Sequence, residues 1–291
     1  MSELIEIDGS EGEGGGQILR TALGLSIVTG KPFRITRIRA RRSKPGLLRQ
    51  HLCGVLAARD IAWATVEGAQ LGSQELAFWP TANRAGRYHF AIGTAGSTAL
   101  VLQAILPALL TAAGESEVVL EGGTHNPNAP GFEFLASAYA PLLSRMGAGL
   151  ALDLERRGFY PAGGGRVTAR VRPARHWQPL HLTGSMPEKQ WRATAVLSAL
   201  ERNIGERELA ALRKRLPGLR AEHCQLVFEA QARGPGNALL LEATGENGVV
   251  EVFSGIGQRG VSAEQVAEAV TDRPNGAIRR SADRRQQMIG G

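Results

Sequence analysis

The sequence predicts an α/β fold assembled from a repeated βαβαββ unit and a smaller α/β unit, and three observations carry that prediction. Apolar residues follow the order strand, helix, strand, helix, strand pair, and the order begins again near residue 87. GQILRTALGLSIVTG and GSTALVLQAILPALL align at a spacing of roughly eighty residues, which marks an internal repeat. From about Thr183 the texture changes to an apolar strand, a charged helix and three further strands.

The first strand is expected over 4–8 and the first helix over 16–29. Between them stand Gly12, Gly14, Gly15 and Gly16. Glycines there let the backbone approach a ligand, and the helix behind them offers unpaired N–H groups and the positive end of its dipole. The loop is a phosphate-site candidate, with a plain tight turn as the alternative; it carries neither the Walker pattern nor the dinucleotide spacing. Glu13 lies inside it and Arg20 follows one helical turn after its end.

A second strand is expected over 33–40, where period two places Arg37, Arg39 and Arg41 on one face and Ile38 and Ala40 on the other. The segment from Lys31 to Gln50 carries Lys31, Arg34, Arg37, Arg39, Arg41, Arg42, Lys44 and Arg49 without one acid. It reads as a phosphate-facing wall, since guanidinium forks bind phosphate oxygens bidentately; a solvated face is the alternative. A helix over 46–61 puts His51 on an apolar edge between Leu47 and Val55, where a structural and a site histidine fit equally. Strands over 64–68 and 75–80 complete the unit.

The second unit is expected as strand 87–93, helix 96–113, strand 117–122, helix 131–146 and strands 149–155 and 167–172. Helix 96–113 is nearly all apolar, yet Ser97, Thr98, Gln103, Pro107 and Thr111 interrupt it and no anchors flank it, so a buried helix is expected rather than a membrane span. Gln103 is a lone amide there, and Pro107 removes the donor for its carbonyl. Both groups are open to a ligand, or else to a water at a kink. The small unit is read as strand 193–200, helix 206–216 with Glu208, Arg213 and Lys214 on a solvated face, and strands 224–229, 237–244 and 249–253. Glu246-Asn247-Gly248 is expected as a hairpin turn. Ser262 and Gln265 form a capping box that starts a last helix.

With 291 residues, 43% hydrophobic, the chain is long enough for a substantial core and two domains. A formal charge of +7 permits nucleic-acid binding without requiring it. Cys53 and Cys224 give neither a disulfide framework nor a metal spacing and read as core residues of a reducing compartment. The acidic start lacks an apolar signal core, so a cytoplasmic protein with no membrane partner is expected.

The run Arg157-Gly158-Phe159-Tyr160-Pro161-Ala162-Gly163-Gly164-Gly165-Arg166-Val167 resembles the signature of the RNA 3′-terminal phosphate cyclases. DGSEGEGGGQILR (8–20), KPGLLRQHL (44–52), GTAGSTALVLQ (93–103), GGTHNPNAP (122–130) and RGPGN (233–237) resemble that family too, over about residues 4–270. The resemblance implies βαβαββ units like the C-terminal domain of bacterial translation initiation factor three. They form a large domain over 1–183, two repeats and the start of a third, with a thioredoxin-like insert lacking Cys-x-x-Cys over 184–270. It implies that ATP adenylylates an enzyme histidine, that AMP passes to an RNA 3′-terminal phosphate, and that the vicinal 2′-hydroxyl closes a 2′,3′-cyclic phosphate. Mg or Mn is implied with the nucleotide.

By the same resemblance Glu13, Arg20, Arg39, Arg42, Gln50 and His51 surround the nucleotide and terminal phosphate. Arg39 and Arg42 are expected on phosphates, Arg20 on the triphosphate or RNA end, and Glu13 on the metal or a hydroxyl; Gln103 and Pro130 are expected on ATP. The implied nucleophilic histidine, behind a Tyr/His-Leu-Ala-Asp-Gln motif, has no counterpart among His51, His89, His125, His176, His181 and His223. His125 lies near the expected site, but neither a positioning partner nor the family pattern makes it a nucleophile. Residues 271–291, rich in arginine and broken by Pro274 and Asn275-Gly276, read as a disordered replacement of the native continuation, truncated or frame-shifted, with a natural short paralogue as the alternative. The expected consequences are impaired catalysis and an unfinished third repeat that leaves a sheet edge open and an apolar face bare. A non-catalytic RNA-binding protein of the ribosome-assembly branch is the competing expectation.

Overall fold

The computed structural model of the chain describes residues 3–182, 189–245 and 248–272. Strand β1 (Ile5–Asp8), helix α1 (Gln17–Thr29), β2 (Phe33–Thr36), α2 (Arg49–Ala62), β3 (Thr65–Glu67) and β4 (Leu76–Trp79) build the first sheet, in the order β1-β2-β4-β3. Strand β5 (Arg87–Ala91), α3 (Thr98–Thr111), β6 (Ser116–Gly122), a π-helical turn (Phe134–Tyr139), α4 (Ala140–Arg145), β7 (Gly149–Arg156) and β8 (Gly165–Arg172) repeat it as β5-β6-β8-β7. In both sheets the first two strands run parallel, joined through a helix, and the other pairings are antiparallel. The repeat read from the sequence is therefore a repeat of topology.

Helix α1 turns Leu19, Ala22, Leu23 and Ile27 inward and stops at Gly30, whose left-handed φ of 69° only glycine adopts without strain. Helix α3 starts on Ser97, whose hydroxyl accepts from Leu100 N–H, and buries Val101, Leu102, Ile105, Leu106 and Leu109. Its apolar residues run nearly all round because it packs against both α1 and α2. Each such fully buried side chain contributes about 1.5–3 kcal/mol of transfer free energy.

The small unit comprises β9 (Lys189–Ser198), α5 (Arg202–Arg215), β10 (Cys224–Phe228), β11 (Gly236–Gly245), β12 (Val250–Ile256) and α6, residues 263–272. Its sheet runs β10-β9-β11-β12 with β9 and β10 parallel, a thioredoxin-like βαβββα order with its own core. The capping box at α6 is present: Ser262 N–H donates to Gln265 Oε1 at 2.9 Å, and Gln265 N–H to Ser262 Oγ at 3.2 Å. Helix α6 runs two residues past Val270, because Arg215 donates to Thr271 Oγ1 and pairs with Asp272. The rest of the tail, 273–291, lies outside the described residues, as do 183–188 and Glu246 and Asn247 of the expected hairpin turn.

Three expectations need correction. The strand expected over 33–40 ends at Thr36: Arg37 and Arg39 adopt left-handed φ of 52° and 56°, and the chain turns. Ile38 N–H donates to Gln74 O and its carbonyl accepts from Gly46 N–H, so the pattern read as alternation is a folded loop. The helix expected over 131–146 opens as the π-helical turn, which packs against β12. Glu208, expected on a solvated face of α5, is fully buried: Asn237 Nδ2 donates to one carboxyl oxygen at 3.0 Å, and the other has no partner among the described residues. Burial raises the Glu208 carboxyl to about 7.

Candidate active site

Asp8 ends β1 and fixes the first loop by accepting from Ser10 N–H and hydroxyl at 2.9 and 2.7 Å and by pairing with Arg37. The glycine loop then leads to α1, whose N-cap Gly16 supplies no side-chain acceptor. The first N–H groups of a 13-residue helix are thus left for an anion.

The basic segment folds back over this loop, and most of its guanidinium groups have partners. Arg39, 9% exposed, donates to the carbonyls of Lys44 and Gly46 at 2.6 and 2.9 Å. Arg41 donates to Gly12 O at 2.8 Å. Arg42 pairs with Glu13 at 3.2 Å, both well exposed. The expected wall of Arg37, Arg39 and Arg41 on one strand face is replaced by a loop in which all three hold protein groups, while Arg42 packs beside Gly15 and pairs with a solvent-facing acid.

Helix α2 begins at Leu48, whose N–H donates to His51 Nδ1 at 3.3 Å, half of a capping box with histidine in the third helical position. Burial, then the charges of Arg39 and Arg20, push His51 down to about 4. The ring is neutral at pH 7, and its hydrogen bond assigns the proton to Nε2. That nitrogen faces Gly16 so closely that a Cβ on Gly16 would stand 2.5 Å from Nε2 and 2.9 Å from an Arg20 terminal nitrogen. His51 therefore presents a donor to the loop. Gln50, beside it, accepts Ser97 N–H on Oε1 at 2.6 Å and ties α2 to the start of α3.

Arg20 connects this polar cluster to an apolar cavity. Its Nε donates to Gln103 Oε1 at 2.8 Å and a terminal nitrogen to Gln17 Oε1 at 2.9 Å. Gln103 is exposed, so the buried amide expected from the sequence is instead a polar group on the cavity wall. The cavity, about 350 Å³, is lined by Arg20, Gln103, Pro107, Pro130, Phe134 and Tyr139. A groove of about 610 Å³ at Arg87, Glu117 and Arg170 is larger, but it contains none of the residues singled out in the sequence and Arg170 there is paired with Glu117.

Sequence reasoning missed Phe134 and Tyr139, and the buried network below them. His125, fully buried, contacts Thr124 Oγ1 at 2.8 Å and Glu133 at 2.9 Å; Glu133 also pairs with Arg157, and Arg157 with Glu229 of the small unit. Burial would raise Glu133, yet His125 and Arg157 outweigh it and hold the carboxyl down at about 2. The only local signal was an acid three residues after Pro130.

No group of three or more metal-ligating side chains exists among the described residues. Glu13, in the loop, has its side chain 91% exposed and paired with Arg42. None of the helices among the described residues is long and apolar enough to cross a membrane.

The family model for RNA 3′-terminal phosphate cyclase matches residues 11–210, and the model for the insert domain of that family matches residues 188–276. An RNA 3′-terminal phosphate cyclase of Ralstonia nicotianae is 54% identical over 267 residues, 91% of this chain and 76% of its own length. One of Pseudomonas aeruginosa strain LESB58 is 57% identical over 268 residues, 92% and 77% of the two chains. One of Salmonella agona is 48% identical over 270 residues, 93% and 77%.

Proposed function

This chain belongs to the RNA 3′-terminal phosphate cyclase family, a family of enzymes, and we propose that its site serves ATP-dependent conversion of an RNA 3′-terminal phosphate to a 2′,3′-cyclic phosphodiester. ATP supplies the adenylyl group that makes the terminal phosphate a leaving-group carrier: pyrophosphate is lost in activation and AMP when the 2′-oxygen bonds to phosphorus.

The chain's own residues bind and orient. The apolar cavity with Pro130, Phe134 and Tyr139 takes the nucleoside, and Gln103 offers an amide to it. The α1 N–H groups, Arg42 and the His51 Nε2–H face phosphate oxygens, where preorganised donors stabilise developing charge. Arg20 stands between the two regions and addresses the triphosphate or RNA end. Arg39 holds the basic loop in place and adds its charge behind His51, while Gln50 fixes α2 against α3. Glu13, released from Arg42, is free for a Mg²⁺ or Mn²⁺ carried by the nucleotide, or for the 2′-hydroxyl.

In this reading residues 1–183 form the site-bearing unit and 184–270 the insert, whose last helix runs on to Asp272, and the remainder to 291 is a divergent tail. The protein works in the cytoplasm on RNA with a 3′-phosphate.

The single supporting observation is that Arg20 bonds Gln103 at the cavity while it and His51 both close on Gly16 at the glycine loop. Incubation with α-labelled ATP and a 3′-phosphorylated oligoribonucleotide tests it. Binding of both, abolished by Arg20→Ala, is the expected result. RNA binding indifferent to ATP and to the 3′-phosphate would instead favour the non-catalytic RNA-binding protein.

A further inference from the structure

Two glycine-rich motifs have no part in the roles above: GFYPAGGG (158–165) in the large unit and RGPGN (233–237) in the small one. They meet in space. The buried Phe159 ring packs with Val196, Ala238 and Leu240, so close to Gly236 that a Cβ there would lie 2.0 Å from the ring. Gly163 N–H donates to Phe159 O at 2.7 Å and closes a turn whose tip leaves Tyr160 70% exposed. The stem of Arg233 lies along the same turn, 2.4 Å from where a Cβ on Gly164 would stand. Its exposed guanidinium has no hydrogen bond or ion pair among the described residues.

The base of this turn rests on the active site. A Cβ on Gly163 would lie 2.8 Å from Ala95 Cα, and the next residue, Gly96, packs against Gln50. One stretch of backbone thus separates the turn from the side chain that holds Ser97 beside His51. The turn thus carries an exposed aromatic ring and, along its Gly164 side, an unpaired guanidinium, the pair of groups with which proteins bind single strands, the ring stacking a base and the cation taking a phosphate.

We propose that Tyr160 and Arg233 form the docking subsite for the nucleotides that precede the RNA 3′ end. Tyr160 stacks a base and Arg233 holds a backbone phosphate. Because stacking accepts any base, the subsite orders the strand without reading its sequence. This rests on the reading that the terminal phosphate lies beside Gln50 and His51.

The test uses the full chain and two probes in fluorescence or calorimetric binding: a 3′-phosphorylated single strand of about ten nucleotides, and a nucleoside 3′-monophosphate. Tyr160→Ala should weaken the strand about tenfold, within the range stacking supplies, and Tyr160→Phe should restore it. Arg233→Ala should reduce the slope of log affinity against log salt by about 0.7. Neither change should alter binding of the monophosphate, whereas Arg20→Ala should weaken both probes. Unchanged strand affinity in Tyr160→Ala would overturn the proposal, as would an equal loss on both probes, which marks a structural role. Strand binding that ignores Arg20 and the 3′-phosphate would refute the site reading itself, and the subsite with it.

Discussion

Replacing Gly16 with alanine puts the site geometry to its most direct test. Gly16 has φ of −80°, which alanine adopts freely, so the substitution acts through space alone. The new methyl would stand 2.5 Å from His51 Nε2, 2.8 Å from Cδ2 and 2.9 Å from the Arg20 nitrogen. Ordinary contact lies near 3.5 Å or beyond, so the groups must part by about 1 Å in total. The Arg20 side chain can swing away, but the His51 ring is tethered at Nδ1 and half-buried. Overpacking of this kind costs about 1–3 kcal/mol of stability. Misplacing catalytic groups by about 1 Å costs about a hundredfold in rate, so function should fall further than stability. Gly12→Ala is the control: φ is 55° and nothing lies within 4 Å of its Cβ, so it should cost about 1 kcal/mol of backbone strain and displace no side chain. Thermal melting and ATP binding of both variants decide the matter. Parental ATP affinity in Gly16→Ala would refute the reasoning that His51 and Arg20 pack on this glycine to form the site.

Glu208 makes the small unit pH-sensitive. Its folded pKa of about 7 lies above the ordinary 4.5, so its contribution is fully present below pH 4.5 and is lost as pH rises through 7. The loss is about 3 kcal/mol, and Glu208→Gln should abolish that slope in hydrogen exchange of β9 and β11 amides measured at pH 5 and 8; an unchanged slope would rule Glu208 out. Arg39→Met removes two hydrogen bonds to the 44–46 turn and a positive neighbour of His51. Exchange protection at Gly46 should drop by about 1–3 kcal/mol and His51 should titrate above 4 by NMR, and a titration left at 4 would contradict that coupling. Glu133→Gln leaves Arg157 without one of its two acidic partners and should destabilise by about 3 kcal/mol. Glu133's own contribution is present above the ordinary 4.5 and disappears as pH falls through about 2, so acid melts of parent and variant should converge there.

The order of elements was legible because periodicity is a local signal: two βαβαββ units, the small unit and the Ser262–Gln265 cap follow in the order the residue pattern gives, although β2 stops four residues early and the helix after β6 opens as a π-helical turn. Partner choice was not, because it is made across the chain. Gln103 reads as a buried amide within its helix, yet its acceptor meets a guanidinium 83 residues away. Glu208 sits among charged neighbours, yet Asn237, on β11, draws it inward.

The basic segment makes the same point with a chemical consequence. Eight cations and no acid announce a place for phosphate, but not which cations are committed to the fold. Arg39 and Arg41 hold carbonyls and Arg37 holds Asp8. Recruiting Arg39 to a ligand would break two bonds in a buried setting. Among the described residues the Arg42 side chain pairs with a solvent-exposed Glu13, and an ion pair of that kind is worth about 0–1 kcal/mol. Separating Glu13 from Arg42 therefore costs little, and under the proposed function that is the step by which an arriving phosphate would take Arg42. Of the cations in this segment that are paired, Arg42 is therefore the one whose partner the fold can most easily spare.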